Sequence, residues 1–109
     1  MEIKIEKRIT DTDIYVQLAG EIDAYTAPKV KEELYPLTED KAVHITIDLS
    51  GVGYMDSTGL GVFVGLFKNV RANEGDLQIV GLSERLERLF DITGLADIIH
   101  ITSETKGGI

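Results

Sequence analysis

The chain has 109 residues, 43% of them hydrophobic and 28% charged, with a formal net charge of -8 and no cysteine. That length and balance suit one domain over residues 1–109 with a single aliphatic core, and exclude disorder, disulfides, thiol catalysis and zinc–thiolate sites. The acidity argues against nucleic acid or an anionic membrane as partner, and with no leader and no apolar run near ~20 residues a cytoplasmic location is expected.

Ile3, Ile5 and Ile9 alternate with charged residues, as a half-buried strand does. Asp11-Thr12-Asp13 is a turn, and Ile14, Val16 and Leu18 resume the alternation, which predicts a hairpin whose second strand ends at Gly20. Thr26 is placed to cap a helix with Pro28 in its first turn. Val30, Leu34 and Leu37 form its apolar stripe, and it should stop near Pro36. Val43, Ile45, Ile47 and Leu49 alternate with His44, Thr46 and Asp48 in the clearest strand, after which Gly51 and Gly53 are expected to loosen the backbone.

A helix then runs from Ser57 to about Asn73, with Leu60, Phe63, Val64, Phe67 and Val70 or Arg71 along one side. Val62 and Leu66 lie off that stripe, so this helix is either buried on two sides or presents an apolar patch to a partner. Glu74-Gly75-Asp76 turns the chain into a short strand at Leu77, Ile79 and Val80. Ser83 caps a helix through Phe90 with Leu86, Leu89 and Phe90 inward, and Ile98, Ile99 and Ile101 form a last strand. Ser103 to Ile109 reads as a loose tail. The order β-β-α-β-α-β-α-β predicts an α/β fold: a small mixed β-sheet of about four to five strands with helices packed against it.

Chemistry concentrates at Tyr54-Met55-Asp56-Ser57-Thr58-Gly59-Leu60-Gly61, where a strand passes into a helix. A serine-hydrolase elbow needs glycine two residues before the serine, and that position is Met55; the only histidines, His44 and His100, fall in strands. No P-loop ending follows the glycines, and Asp48 and Asp56 have no third acid beside them, so no catalytic residue, metal or cofactor is expected. Ser57 therefore reads as a helix cap or as a phosphorylation site on a helix N-terminus. One cap needs one residue, yet Asp56, Ser57 and Thr58 are all competent. Gly59 and Gly61 each cost a helix ~1 kcal/mol relative to alanine. They either leave the first turn bare for a partner or, for Gly61 and Gly65 in particular, allow close packing on the sheet.

Gly20-Glu21-Ile22-Asp23-Ala24-Tyr25-Thr26-Ala27 is a second strand-to-helix turn of the same layout. Two such turns belong at one edge of a sheet, where partner or ligand sites form. Asp23 is expected there as a solvent-facing acid, or else as a simple cap or turn residue.

These two turns, with Val62-Phe63-Val64-Gly65, Leu82-Ser83-Glu84-Arg85-Leu86 and Leu89-Phe90-Asp91-Ile92-Thr93-Gly94-Leu95, resemble the STAS domain over essentially the whole chain. The resemblance is to bacterial anti-sigma factor antagonists, above all those of general-stress sigma factor pathways in Gram-positive bacteria. It implies a switch in which the unphosphorylated antagonist binds an anti-sigma factor with serine kinase activity and frees the sigma factor. It further implies that this kinase phosphorylates Ser57, rather than the neighbouring Thr58, and that a PP2C-type phosphatase reverses the step. The implied interface comprises Asp23, Tyr25 and Thr26 with Asp56, Ser57, Thr58, Gly59, Leu60 and Gly61. The alternative is a STAS module that docks or senses a small ligand without being phosphorylated.

Overall fold

Strand register decides which side chains meet the helices. A computed structural model describes residues 2–102, so the expected tail from Ser103 to Ile109 lies outside the described residues. Strands β1 (Ile3–Thr10) and β2 (Asp13–Ile22) form the expected antiparallel hairpin, with Ile9 opposite Ile14 and Ile5 opposite Leu18. β3 (His44–Met55), β4 (Asp76–Val80) and β5 (His100–Thr102) then join in parallel, giving one five-stranded mixed sheet in the order β1-β2-β3-β4-β5. Helices α1 (Ala27–Leu34), α2 (Ser57–Ala72) and α3 (Glu84–Ile92) make the crossovers that parallel strands require.

Ile14 and Val16 of β2, Ile45 and Ile47 of β3, and Leu77 and Ile79 of β4 lie in register, and with Leu18 and Leu49, at the β2–β3 register shift, they are buried in one core with the helices. The alternate positions Tyr15, Thr46 and Gln78 share the opposite face. No helix among the described residues is long and apolar enough to cross a membrane.

Four local expectations are corrected. β2 does not end at Gly20 but runs on to Ile22, with Gly20 at φ 122° where the pairing with β3 shifts register. Gly51 and Gly53 do not loosen the chain, because both lie inside β3. A methyl on Gly51 would stand 2.8 Å from the Ala19 Cβ, so that glycine serves a close approach of two strands. The α2 stripe is rotated from the expected one: Val62 and Leu66 are buried with Leu60, Phe63 and Val70, while Val64 and Phe67 are half-buried. The apolar excess of α2 is thus taken up mostly inside the molecule, in part by Phe90 of α3, whose ring centre lies 6.5 Å from that of Phe63. Finally, Ile98 precedes the last strand and is exposed, whereas Leu86 and Phe90 are buried as expected and Leu89 packs half-buried against the core.

α1 stops at Leu34, and the chain continues as a 3-10 turn, Tyr35–Thr38, that contains Pro36. This is the expected stop near a residue with no N–H to continue the ladder.

Candidate functional site

β2 and β3 stay paired beyond the last β3–β4 pair, Asp48 with Val80, as far as Ile22 with Met55. This two-stranded extension carries both strand-to-helix turns to the same edge, at the C-terminal ends of parallel strands. The Asp56 N–H donates to the Ile22 carbonyl at 3.2 Å and fastens one turn to the other.

At the start of α2 one residue does the capping. Asp56 Oδ1 accepts the N–H of Thr58 at 2.9 Å and that of Gly59 at 3.3 Å. Ser57 and Thr58, the first two helical residues, are exposed. The three glycines divide. Gly59 is buried, and a methyl there would meet Ile22 Cγ2 at 2.7 Å and Met55 Cγ at 2.8 Å. Gly65 lies under the phenol of Tyr35, which donates to the Val62 carbonyl at 2.9 Å. Gly61 faces open space, so packing on the sheet is not its reason. Leu60, expected at the interface, turns into the core and is only 6% exposed.

The second turn also differs from expectation. Of the two readings of Asp23, the solvent-facing acid fails and the turn residue holds: the residue is 8% exposed. Its Oδ1 accepts the N–H of Tyr25 at 2.9 Å and of Thr26 at 3.1 Å. Thr26 does not cap α1 with its side chain. Its hydroxyl donates to the Glu21 carbonyl at 2.7 Å and accepts the Asp23 N–H at 2.9 Å, while its own carbonyl receives Lys29 and Val30. Asp23 and Thr26 thus tie the turn closed. Burial pushes the Asp23 carboxyl up, but the N–H groups of Thr26 and Tyr25 and the Thr26 hydroxyl outweigh it and hold it below its ordinary value. Between these two residues Tyr25 projects outward, 87% exposed.

Residues 4–107 match the STAS domain family. The chain belongs to that family. It is 53% identical over 109 residues to the anti-sigma-B factor antagonist of Bacillus subtilis (strain 168), covering 100% of this chain and 99% of that one. It is 58% identical over 102 residues to the anti-sigma-B factor antagonist of Listeria monocytogenes (serovar 1/2a, strain ATCC BAA-679 / EGD-e), covering 93% and 90%. Among solved structures, the Bacillus cell fate determinant SpoIIAA in its phosphorylated form superposes with a TM-score of 0.74 at 20% identity, covering 98% of this chain and 95% of that one, a likeness of fold.

In this STAS domain the other candidate chemistries are spatially separated. His44 opens β3 and Ser57 follows its far end, so the imidazole is no base for the serine; it is exposed, with Nδ1 3.5 Å from Asp76. Asp48 is buried and occupied by the Tyr15 hydroxyl at 2.6 Å and the Ser50 N–H at 2.9 Å. Among the described residues no group of three or more His, Asp or Glu is placed to hold a metal ion. Sequence reasoning left Tyr54 outside the site. It pairs in register with Glu21, one pair before the strands run into the two turns, and is 43% exposed; alternation against buried Met55 was the signal that could have found it.

Proposed function

We propose that this STAS domain is an anti-sigma factor antagonist switched by a phosphate on Ser57. Its unphosphorylated form binds an anti-sigma factor with serine kinase activity and so releases a sigma factor for stress-response transcription. The kinase transfers the γ-phosphoryl group of ATP to Ser57 Oγ. The new O–P bond forms as the bond to ADP breaks, and the hydroxyl proton leaves to a base of the kinase. A PP2C-type phosphatase hydrolyses the ester and restores the binding form. This chain is the substrate of both enzymes and contributes no catalytic group, metal or cofactor. Partners of this kind give it a cytoplasmic location.

One observation carries the proposal: Asp56 takes the capping role, which leaves the adjacent Ser57 exposed on the first turn. A phosphate there adds about -1.5 to -2 charge without disturbing the cap. At the contact surface that charge would be buried unpaired, a loss of ~2–5 kcal/mol, or roughly 30- to 5000-fold in affinity.

The test is intact mass and peptide mapping after incubation with the anti-sigma kinase of the same organism and Mg-ATP. One phosphate on Ser57 is expected, and none on Ser57→Ala, which should still bind the kinase; Ser57→Asp should bind weakly. A kinase that is active on its own antagonist controls but leaves this chain unmodified would overturn the switch.

The alternative, a module that docks or senses a ligand unmodified, has a shallow trough of about 560 Å3 on the helix-free side of the sheet, lined by Arg8, Thr10, Tyr15, His44 and Thr46. The trough contains no residue of either turn. On that reading, Ser57→Asp and Ser57→Ala should behave alike.

A further inference from the structure

We infer that Tyr25 is the aromatic anchor of the kinase contact, and that Asp23 is a positioning residue that holds it outward. This rests on the function proposed above and divides the labour within its interface. An aromatic side chain buries roughly 150–250 Å2 when covered, and Tyr25 at 87% exposure has nearly all of that area in water. It is left there by a turn that is fixed on both sides. The Tyr25 N–H and the next one, Thr26 N–H, both donate to Asp23 Oδ1, and the Ala27 N–H donates to the Asp23 carbonyl at 2.8 Å. A ring on a fixed backbone has only two side-chain torsions to lose on docking, which is why tyrosine makes an efficient anchor.

Asp23 itself is poorly suited to an ionic contact. It is 8% exposed, and its Oδ1 is engaged by two amides and lies 3.3 Å from the Thr26 hydroxyl. The surroundings say what the ring should meet. Tyr54 lies half-exposed on the strand extension that leads into the two turns, and Gly61 leaves the first turn of α2 bare. The chain carries a net charge of -8. The matching surface on the kinase is therefore an apolar socket for a phenol ring with basic residues around its rim.

The test is calorimetric affinity for the same anti-sigma kinase, with amide hydrogen exchange of each variant measured alone. Tyr25→Ala should weaken binding about 30-fold or more, as a hot-spot tyrosine does. Asp23→Ala should weaken it about tenfold and speed exchange at the Tyr25 and Thr26 amides, by loss of the side-chain acceptor. Asp23→Asn keeps an Oδ1 acceptor and should stay within about threefold of the parent in affinity, with exchange unchanged. Tyr25→Ala with parental affinity would overturn the anchor. Asp23→Asn as weak as Asp23→Ala, with its amides still protected, would make Asp23 an ionic contact and overturn its positioning role. If the parent chain itself fails to bind the kinase, the proposed function falls and the anchor with it, while the exchange data still decide what Asp23 does to the turn.

Discussion

The N–H of Asp56 donates to the carbonyl of Ile22, so the residue that caps α2 is fastened to the last residue of β2. The sheet, the serine turn and the Asp23 turn are therefore one rigid edge rather than two loops that happen to be close. A partner that reads Ser57 on this edge meets a surface formed before it arrives, and a phosphate added there changes charge and bulk rather than backbone.

Gly59 and Gly61 should respond oppositely to the same substitution. A methyl at Gly59 meets Ile22 Cγ2 at 2.7 Å and the Ile22 carbonyl at 3.2 Å, neither at the end of a long flexible chain. Gly59→Ala is expected to destabilise by ~1–3 kcal/mol, because overpacking outweighs the ~1 kcal/mol helix preference for alanine. Gly61→Ala meets nothing within 4 Å and should stabilise by up to ~1 kcal/mol while weakening kinase binding. Urea unfolding and calorimetry on the two variants check this. A Gly59→Ala protein more stable than its parent would refute the packing argument.

Stability should fall at both ends of the pH scale through the Tyr15–Asp48 pair. Burial pushes the Asp48 carboxyl up, but the Tyr15 hydroxyl and the Ser50 N–H outweigh it and hold the group below its ordinary value. The folded state thus releases this proton more readily than the unfolded chain. The stability it contributes is present above the usual carboxylate range and is lost as pH falls through the lowered value. The Tyr15 phenol is pushed up from 10 to about 12, first by burial and then by its hydrogen bond to Asp48 and the charge of that carboxylate. Here the folded state holds the proton more tightly, so stability is complete below pH 10 and is lost between pH 10 and about 12. Tyr15→Phe should be less stable at neutral pH but show a shallower decline above pH 10. Unfolding free energies that run parallel for the two proteins across that range would exclude Tyr15 as the source.

Most of the fold was legible in the sequence, because the alternation at Ile14, Val16 and Leu18 and at Ile45, Ile47 and Leu49 has the period of a strand and each strand faces one core. The phase of α2 was less legible. Gly59, Gly61 and Gly65 have no side chains to mark a face, so Val64 and Phe67 set the apparent stripe although they are only half-buried. The serine turn could be located, but which of three polar residues would cap it could not. That was decided by the extended backbone of Asp56, which aims its carboxylate at the Thr58 and Gly59 amides. Asp23 stood open between a solvent-facing acid and a turn residue, because an acid in a turn looks solvated, and the turn residue is what the fold holds. Its burial follows from two amides that need an acceptor, a demand that appears only when the turn closes.

Asp56 should also determine how phosphate at Ser57 affects folding. Asp56→Ala removes the cap and should cost about 1 kcal/mol, whereas Asp56→Asn retains an accepting oxygen and should lose a few tenths, roughly. A phosphate on the first residue of α2 gains ~0.3–1 kcal/mol from the helix dipole, but Asp56 next to it repels the new charge. In the parent protein the two effects oppose each other, and phosphorylation should change stability by less than about 1 kcal/mol. In Asp56→Asn the repulsion is gone, so the phosphate should stabilise that variant by more than it does the parent. The difference should shrink in 1 M salt, where charges are screened beyond roughly 3 Å. Urea unfolding of both proteins, with and without phosphate, at low and high salt, tests the argument. An equal effect of phosphate in the two proteins at low salt would mean that Asp56 caps the helix without opposing the modification.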